Sequence, residues 1–348
     1  MYNFFFFLKF FLIKKTYSYC KELYFKKIIN YLKIFNFEIF KIRNTINLLF
    51  YKNKKYLFIG HLDVVNEGFD KWITKSFNCK CYKKKIFCRG VIDMKGGFCS
   101  FFFLQKKNNF LLTNDEENIS IYGTQYVINI LKNRNIIFFL YFGGEPTSIK
   151  IIGDNIKIAR RGSYNFKIIF TGKQKHCAYI GKNIITCVLK KIFFLKKKIN
   201  KNEIIEINNL ISISDGTNIT PVNFFLKINY RFLFYNNIII IKKLFFLKFK
   251  NDLIYFKWIL SGIPFICYKN FFLKKIFNSV FLIQNIFSKI NFLGGTSDLR
   301  YCYIFNKKKF IFEIGLLNNS IHKVNEYSCF DNLFILNLIY FNFLNGIR

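Results

Sequence analysis

Histidine, proline and acidic residues are scarce in this 348-residue chain, which has three His, three Pro and 19 Asp and Glu residues. The apolar N-terminal run is interrupted by Lys9 and lacks a small-residue cleavage site, so we expect no signal peptide. No other stretch reaches the roughly 18 uncharged apolar residues typical of a membrane-spanning helix. Disorder is excluded because 52% of the residues are hydrophobic. The sequence therefore predicts a folded protein without a transmembrane segment.

Positive charge is abundant: 55 Lys and Arg residues give the chain a formal net charge of +36. Such an excess would ordinarily suggest binding to nucleic acid or to anionic membranes. Here, however, the charge is mostly lysine in short, scattered runs such as Lys83–Lys85, Lys196–Lys198 and Lys307–Lys309. Arginine, which suits phosphate recognition through its planar fork, contributes only eight residues. We therefore expect neither a nucleic-acid partner nor a membrane partner.

The ten cysteines do not form the pattern of a disulfide framework or of a Cys-x-x-Cys metal site. They occur singly, as Cys20, Cys99, Cys177 and Cys302 do, or close together as Cys79 and Cys81 do. Reduced thiols in a cytoplasmic protein are the better interpretation.

Four apolar runs each lead into residues that can bind a metal ion. The run at 56–60 leads to His61, and the run at 110–113 leads to Asp115, Glu116 and Glu117. The run at 136–142 leads to Glu145, and the run at 309–314 leads to His322. Short continuous apolar runs suit the buried strands of a parallel or mixed sheet. Ligands of open α/β sheets bind beyond the carboxyl ends of the strands. The pattern thus predicts an α/β domain whose central mixed sheet gathers these side chains at one edge.

The stretch from about Gly162 to Phe265 differs from the rest. Strand-like segments at 166–170, 224–234 and 254–259 accompany a helix-like segment at 184–194. This order predicts a separate, small α+β unit inserted into the larger domain. Near the N-terminus, apolar residues at helical spacing predict an amphipathic helix over Lys21–Glu38.

A catalytic pair of zinc ions needs imidazole and carboxylate ligands, one carboxylate that bridges, and an open position for water. The chain offers two imidazoles and three carboxylates, in His61, Asp93, Glu117, Glu145 and His322. Asp63 lies two positions after His61, so on an extended segment the two side chains share a face and Asp63 can orient the ring. Glu116 directly precedes Glu117, so one can bind metal while the other acts as a general base. Taken singly, each motif also fits a structural histidine, a solvated turn or a loop.

Nine segments in order carry a resemblance to a known family. They are GHLDVV (60–65), CRGVIDMKGG (88–97), LLTNDEE (111–117), GGEPTS (143–148), GDNIKIARRGS (153–163), GKQKHCAY (172–179), SGIPF (261–265), GGTSD (294–298) and NNSIHKVNE (318–326). Together they resemble the succinyl-diaminopimelate desuccinylases, which belong to the dizinc aminoacylase and carboxypeptidase superfamily, peptidase family M20.

The resemblance implies a dizinc catalytic domain at residues 1–161 and 266–348, with an inserted dimerisation, or lid, domain at 162–265. By motif, His61 and Glu145 would hold one zinc ion. Glu117 and His322 would hold the other, and Asp93 would bridge the two. Cobalt or manganese could replace zinc at one site.

Further roles follow from the same resemblance. Glu116 matches the general acid/base, Asp63 the aspartate beside the first ligand, and His176 the histidine that the partner subunit offers to the active site. Substrate-contacting positions match at Arg160, Ser163, Tyr179, Asn218, Arg231, Thr296 and Asn318. The implied enzyme is a cytoplasmic homodimer that hydrolyses N-succinyl-LL-2,6-diaminopimelate with a zinc-activated water, for lysine and diaminopimelate biosynthesis.

Two other interpretations remain open at the level of sequence. An acetylornithine deacetylase or another N-acyl amino acid hydrolase would use the same metal chemistry on a different acyl group. A noncatalytic binding protein would use the positive charge to hold nucleic acid or membrane, although the intact ligand set argues against it. The sequence departs from the family pattern at Asn66, Ile180 and Thr217, none of which is an expected metal ligand.

Overall fold

The computed structural model of the protein describes residues 2–18, 22–32, 35–103, 108–212, 216–234, 236–250, 253–268, 270–292, 294–305 and 310–347. Cys20 and the lysine run at 307–309 lie outside these residues. The chain divides into two compact units, the larger comprising Met1–Ala159, Cys267–Phe292 and Ser297–Arg348, and the smaller Arg160–Ile266 and Leu293–Thr296. The sequence had placed the domain boundaries at 161/162 and 265/266, without assigning 293–296 to the smaller unit.

An eight-stranded mixed sheet forms the centre of the larger unit, in the order β1-β2-β6-β3-β7-β16-β8-β15. Its strands are β1 (Glu38–Ile42), β2 (Thr45–Phe50), β3 (Tyr56–His61), β6 (Phe110–Thr113), β7 (Leu140–Gly143), β8 (Asn155–Lys157), β15 (Lys289–Asn291) and β16 (Phe310–Glu313). The neighbours β6, β3, β7 and β16 run parallel to one another. They are almost entirely buried, as continuous apolar strands of parallel sheets are. The predicted α/β class with a central mixed sheet is confirmed.

Helices cover both faces of this sheet. They are α1 (Tyr2–Leu12), α2 (Glu22–Leu32), α3 (Lys95–Phe102), α4 (Thr124–Asn133), α7 (Phe271–Gln284), α8 (Leu299–Phe305) and α9 (Phe330–Asn345). On one face the ring of Phe58 in β3 stacks on Phe101 of α3, with 4.0 Å between the centroids. On the other face, α4 contacts β6 and α8 contacts β7. The sheet is thus held rigidly between two helical layers, which fixes the ends of its strands.

A small antiparallel sheet joins two distant parts of the larger unit. Its order is β17-β5-β4, with β4 at Lys80–Tyr82, β5 at Lys85–Phe87 and β17 at Tyr327–Cys329. Pairing of Tyr327 with Phe87 sets the register between the two segments. As a result, the segment that leads to Asp93 lies beside the segment that follows His322.

The smaller unit is a four-stranded antiparallel sheet, in the order β11-β12-β10-β13, with two helices. Its elements are β10 (Gly162–Thr171), α5 (Ile184–Lys198), β11 (Ile204–Ser212), β12 (Asn223–Phe232), α6 (Asn236–Phe249) and β13 (Leu253–Gly262). The short strands β9 (Ala159–Arg160) and β14 (Phe265–Ile266) lie where the chain enters and leaves this unit. Apolar residues alternate along β12, and the buried set packs with both helices into a separate core.

One local prediction differs from the structure, and two elements had not been predicted. The amphipathic helix predicted over Lys21–Glu38 is shorter: α2 ends at Leu32, and Glu38 begins strand β1. Strand β11 and helix α6 had not been predicted within the smaller unit.

Across the described parts of the chain, no helix combines the length and the apolar character needed to cross a membrane.

Candidate metal centre

Five candidate ligands come from five separate segments of the larger unit. His61 ends strand β3, Glu117 follows β6 and Glu145 follows β7, so all three leave the same edge of the parallel strands. Asp93 lies two residues before the start of helix α3, and His322 lies in the loop between β16 and β17. The strands place three of the ligands directly, and the two loops supply the others.

Asp93 lies at the centre of this group and uses its two oxygens separately. Its Oδ1 is 3.3 Å from Nε2 of His61, and its Oδ2 is 3.0 Å from Nε2 of His322. Each imidazole has a second carboxylate: Glu145 Oε1 is 3.8 Å from Nε2 of His61, and Glu117 Oε1 is 3.1 Å from Nε2 of His322. One carboxylate therefore stands between two similar imidazole–carboxylate pairs.

The electrostatics of the cluster favour positive charge. Burial alone would raise the pKa of Asp93, but hydrogen bonds with His322 and His61 hold that pKa below its ordinary value. Hydrogen bonds with Asp93 and Glu117 raise the pKa of His322 to about 10. Burial opposes protonation of His61, yet Asp93 and neighbouring acidic groups raise its pKa well above the usual range. Carboxylates that draw protons onto both imidazoles will also attract divalent cations.

The donor chemistry of the cluster fits a pair of zinc ions. Ligand atoms of His61, Asp93 and Glu117 all lie within 4.8 Å of one another. Nδ1 of His61 donates to the carbonyl oxygen of Asp63 at 2.9 Å. In the neutral ring, which is the form that binds a metal ion, the lone pair is therefore on Nε2, the nitrogen that faces Asp93. Imidazole nitrogen and carboxylate oxygen are ligands that zinc takes in catalytic sites. The side chain of His322 is 47% exposed, so the cluster is open to solvent on that side.

Asp63 connects the candidate ligands to one another. Its buried carboxylate accepts hydrogen bonds from the backbone N–H groups of Glu116, at 3.3 Å, and Glu117, at 3.0 Å. The same carboxylate accepts a 2.7 Å bond from Ser18 and lies 3.5 Å from Nδ1 of His61. Burial raises the pKa of Asp63 to about 6, against the opposing effect of His61. Asp63 thus fixes the backbone of the acidic pair relative to the first histidine.

Glu116 is directed toward the same cluster. Its side chain lines a small cleft together with His61, Glu145 and Asp298. Burial raises the pKa of Glu116 well above its ordinary value, and the charges of Glu145 and Glu117 add to this effect. Glu116 therefore shares this cleft with two of the candidate metal ligands.

Several of the expected substrate-contacting residues lie together in the smaller unit. Ser163 on β10 is paired in register with Arg231 on β12. Asn229 bridges them, because its amide donates to Ser163 Oγ at 2.9 Å and accepts from Arg231 Nε at 2.8 Å. Arg160 donates to the carbonyl oxygen of Gly295 at 3.2 Å, one residue before Thr296.

A second group in the smaller unit contains the remaining expected residues except Asn318. Nε2 of His176 is 3.2 Å from Nδ2 of Asn218, and the ring of Tyr179 packs edge-on against His176 at 5.6 Å. His176 and Tyr179 are exposed. Asn318, four residues before His322, belongs to the larger unit, where its backbone N–H donates to the carbonyl oxygen of Ser148 at 3.0 Å.

Two features of the site had not been predicted. Ser18, which binds Asp63, gives no signal in the sequence because 45 residues separate the two. Arg89 and Glu326 form a buried ion pair of 2.9 Å beside the cluster. Arg89 lies within the motif at 88–97 and Glu326 within the motif at 318–326, so the motifs contained both residues without revealing that they meet.

Comparison with known proteins identifies relatives of this chain. Residues 57–345 match the family model described as Peptidase family M20/M25/M40. A succinyl-diaminopimelate desuccinylase from Wigglesworthia glossinidia brevipalpis is 37% identical over 332 residues, which cover 88% of this chain and 88% of the relative. Another from Buchnera aphidicola subsp. Cinara cedri (strain Cc) is 34% identical over 359 residues, covering 94% and 93%. The resemblance to succinyl-diaminopimelate desuccinylases is therefore confirmed.

Solved structures show the same fold at low sequence identity. The M20 family metallo-carboxypeptidase Sso-CP2 from Sulfolobus solfataricus matches with a TM-score of 0.78 at 16% identity, over 100% of this chain and 99% of its own. Aminopeptidase PepT from Bacillus cereus matches with a TM-score of 0.74, also at 16% identity, over 97% and 96%. The family match spans most of the chain, and both structures share its architecture. The chain belongs to peptidase family M20/M25/M40.

Proposed function

We propose that the protein is a metal-dependent amide hydrolase, a succinyl-diaminopimelate desuccinylase of lysine and diaminopimelate biosynthesis. Its reaction converts N-succinyl-LL-2,6-diaminopimelate and water into succinate and LL-2,6-diaminopimelate. The single observation that carries this proposal is the Asp93-centred cluster, with both carboxylate oxygens facing imidazoles. The desuccinylase relatives, one of them 37% identical, support the choice of substrate.

We assign the cluster to two divalent metal ions per subunit, with zinc as the expected ion and cobalt or manganese as alternatives at one site. His61 and Glu145 would hold one ion, Glu117 and His322 the other, and Asp93 would bridge them. This division follows the distances, since each imidazole lies within 4 Å of its own carboxylate and of one Asp93 oxygen. Bound zinc would act as a Lewis acid and make water a stronger nucleophile near neutral pH.

Glu116 is the proposed general acid/base. Its carboxylate would accept a proton from the water that attacks the succinyl amide carbonyl, and later deliver a proton to the departing amine nitrogen. Position supports this role: Glu116 lines the cleft with His61 and Glu145, while Asp63 holds its backbone N–H. Asp63 would act by keeping the Glu116–Glu117 backbone in place rather than by touching substrate.

The smaller unit would recognise the substrate and form the dimer. The substrate carries carboxylates, and arginine binds carboxylates through paired, charge-assisted hydrogen bonds. We assign this recognition to Arg160 and Arg231, with Ser163 beside Arg231 in the sheet. Tyr179, Asn218, Thr296 and Asn318 would make the remaining substrate contacts. His176, exposed in its loop, would serve the active site of the partner subunit.

The same unit is the proposed dimerisation domain, at residues 162–265, with residues 1–161 and 266–348 forming the catalytic domain. Its edge strand β11 exposes Leu210 and Ile211, and helix α6 exposes Ile239 and Ile240. Exposed apolar side chains on an edge strand and on a helix suit an interface between two copies. A cytoplasmic location is proposed as well, since all nine cysteines that the structure describes are free thiols.

Hydrolysis assays with zinc-loaded protein test the proposed reaction. N-succinyl-LL-2,6-diaminopimelate should be turned over, N-acetylornithine should be a poor substrate, and Glu116→Gln should remove the activity. Glu38→Gln is the matched control, because Glu38 pairs with Arg134 on an exposed surface of the same unit. Preferential turnover of N-acetylornithine would keep the metal centre and overturn the substrate. Full activity of Glu116→Gln would overturn the general acid/base.

A further inference from the structure

Arg89 and Glu326 form a salt bridge in the interior of the larger unit. Nη1 of Arg89 is 2.9 Å from Oε2 of Glu326, and the two residues are 1% and 0% exposed. Burying two charges costs desolvation energy that their attraction scarcely offsets, so such a pair seldom adds net stability. The pair instead holds nearby backbone segments in position.

Glu326 holds the turn that precedes Asp93. Its Oε1 accepts a 2.8 Å hydrogen bond from the backbone N–H of Ile92, and its Oε2 accepts a 3.1 Å bond from that of Gly90. Gly90 has a φ of +81°, and a Cβ there would lie 2.6 Å from Val64. With the Arg89 side chain added, one carboxylate binds three donors from residues 89–92, directly before Asp93.

Arg89 holds two other segments of the site. Its Nη1 donates to the carbonyl oxygen of Lys323 at 3.1 Å, and its Nη2 donates to those of Asn66 and Glu67 at 3.2 and 3.3 Å. Lys323 is the residue after His322, and Asn66 lies shortly after Asp63. The planar guanidinium reaches all of these acceptors at once because its donors point in fixed directions.

The loop that carries His322 needs such support. His322 has a φ of +58° and Asn325 a φ of +60°, in the left-handed region that side chains other than glycine disfavour. Conformations of this kind persist only where their surroundings hold them. Here the Arg89–Lys323 bond holds one end of the loop, and the backbone N–H of Ile73 donates to Asn325 Oδ1 at 2.7 Å.

We propose that Arg89 and Glu326 are positioning residues that set the separation of Asp93 and His322, and thereby the affinity of this centre for divalent metal ions. The inference rests on the proposed function, because it takes Asp93 and His322 as metal ligands. Neither Arg89 nor Glu326 touches a reacting atom. They act by tying the Asp93 turn, the His322 loop and the segment after Asp63 to one buried ion pair.

Zinc affinity of the metal-free, folded protein tests this proposal. We expect Glu326→Gln to weaken zinc binding by about 10- to 100-fold, as loss of an outer partner of metal ligands typically does. Competition with a chromophoric chelator gives the zinc dissociation constants. Each measurement is made at a temperature below the melting temperature of that variant, as recorded by circular dichroism. The visible absorption of the Co²⁺-loaded protein should also change, since it reports the geometry of the ligands. Glu38→Gln should leave both measurements as in wild type.

A second variant keeps the test valid should Glu326→Gln not fold. Arg89→Lys retains a positive charge beside Glu326 but cannot reach the carbonyls of Asn66, Glu67 and Lys323 together, so a smaller loss of zinc affinity is expected. A lower melting temperature with unchanged zinc affinity and unchanged Co²⁺ spectrum would overturn the proposal and leave a purely structural pair. Wild-type protein that binds no zinc would overturn the metal centre itself, and this inference with it.

Discussion

Asp93 Oδ2 lies 3.0 Å from Nε2 of His322, although 229 residues separate the two in the chain. The contact closes the cluster, because the other Asp93 oxygen already faces His61. Parallel strands supply His61, Glu117 and Glu145, whereas the Asp93–His322 contact depends on two loops. The geometry of the site therefore depends on these two loops as well as on the strands.

Asp63 should control turnover without binding substrate. Glu116 and Glu117 donate to different oxygens of Asp63, so in Asp63→Asn one of these N–H groups faces the amide NH2 group instead of an acceptor. We expect kcat to fall by about 10- to 100-fold, with little change in KM. Steady-state kinetics on the succinyl substrate measure both. Asp70→Asn, at an exposed position after the same strand, is the control. Wild-type kcat in Asp63→Asn would contradict the positioning role.

Glu326 should make the stability of the protein depend on pH. Burial raises the pKa of Glu326 from 4.5 to about 6, although the hydrogen bond from the Ile92 N–H and the positive charge of Arg89 both lower it. Because the folded state then binds the proton more tightly than the unfolded state, this contribution to stability is present below pH 4.5 and is lost as the pH rises through 6.

Urea unfolding with EDTA at several pH values tests this dependence. The free energy of unfolding of wild type, minus that of Glu326→Gln, should rise by about 2 kcal/mol between neutral pH and pH 4.5. The variant removes the titrating group, so other ionisations cancel in the difference. A difference that stays constant with pH, or falls toward acid, would show that the pKa is not raised.

Phe58, three residues before His61, should be a major contributor to stability, since its buried ring stacks on that of Phe101. Phe58→Ala would leave a cavity in a core that helices cover on both faces. We expect a loss of about 3–5 kcal/mol in the free energy of unfolding, measured with urea. Phe139→Ala, at a residue that is 61% exposed, should cost less than about 0.5 kcal/mol. Similar losses in the two variants would contradict the assigned core.

Helix α6 should lie at the dimer interface. Ile240 is 57% exposed in the single chain, so Ile240→Asp would place a charge in an apolar interface without disturbing the core. Sedimentation equilibrium should show wild type as a dimer and this variant as a monomer. Leu282→Asp, at an exposed position on α7 of the larger unit, should remain dimeric. A monomeric wild type, or a dimeric Ile240→Asp, would argue against this interface.

Strand ends could be predicted from the sequence because their signal is local. Continuous apolar runs predicted β3, β6, β7 and β16, and the rule that ligands gather at carboxyl ends of strands placed His61, Glu117 and Glu145 together. The same rule included His322, which follows the run at 309–314, although it lies in a loop. Asp93 follows no such run, so only the ligand chemistry of zinc and the family resemblance connected it to the others. The contact between Arg89 and Glu326, which are 237 residues apart, has no local signal at all.

Local misassignments also have physical causes. Helix α6 is apolar around much of its circumference, from Ile238 to Ile241, so it lacks the period that distinguishes helix from strand. Strand β11 contains polar residues at Glu206, Asn208 and Asn209, which weaken its alternation. The helix predicted to Glu38 ends earlier, and the ring of Phe35 instead packs edge-on against Phe50 and Phe102. Tertiary packing decided these cases.

The central claim is that Asp93 bridges two metal ions. X-ray diffraction from zinc-loaded crystals, measured on both sides of the zinc absorption edge, tests it most directly. We predict two anomalous peaks in each subunit, one among His61, Asp93 and Glu145 and the other among Asp93, Glu117 and His322. A single peak, or zinc bound away from Asp93, would contradict the account.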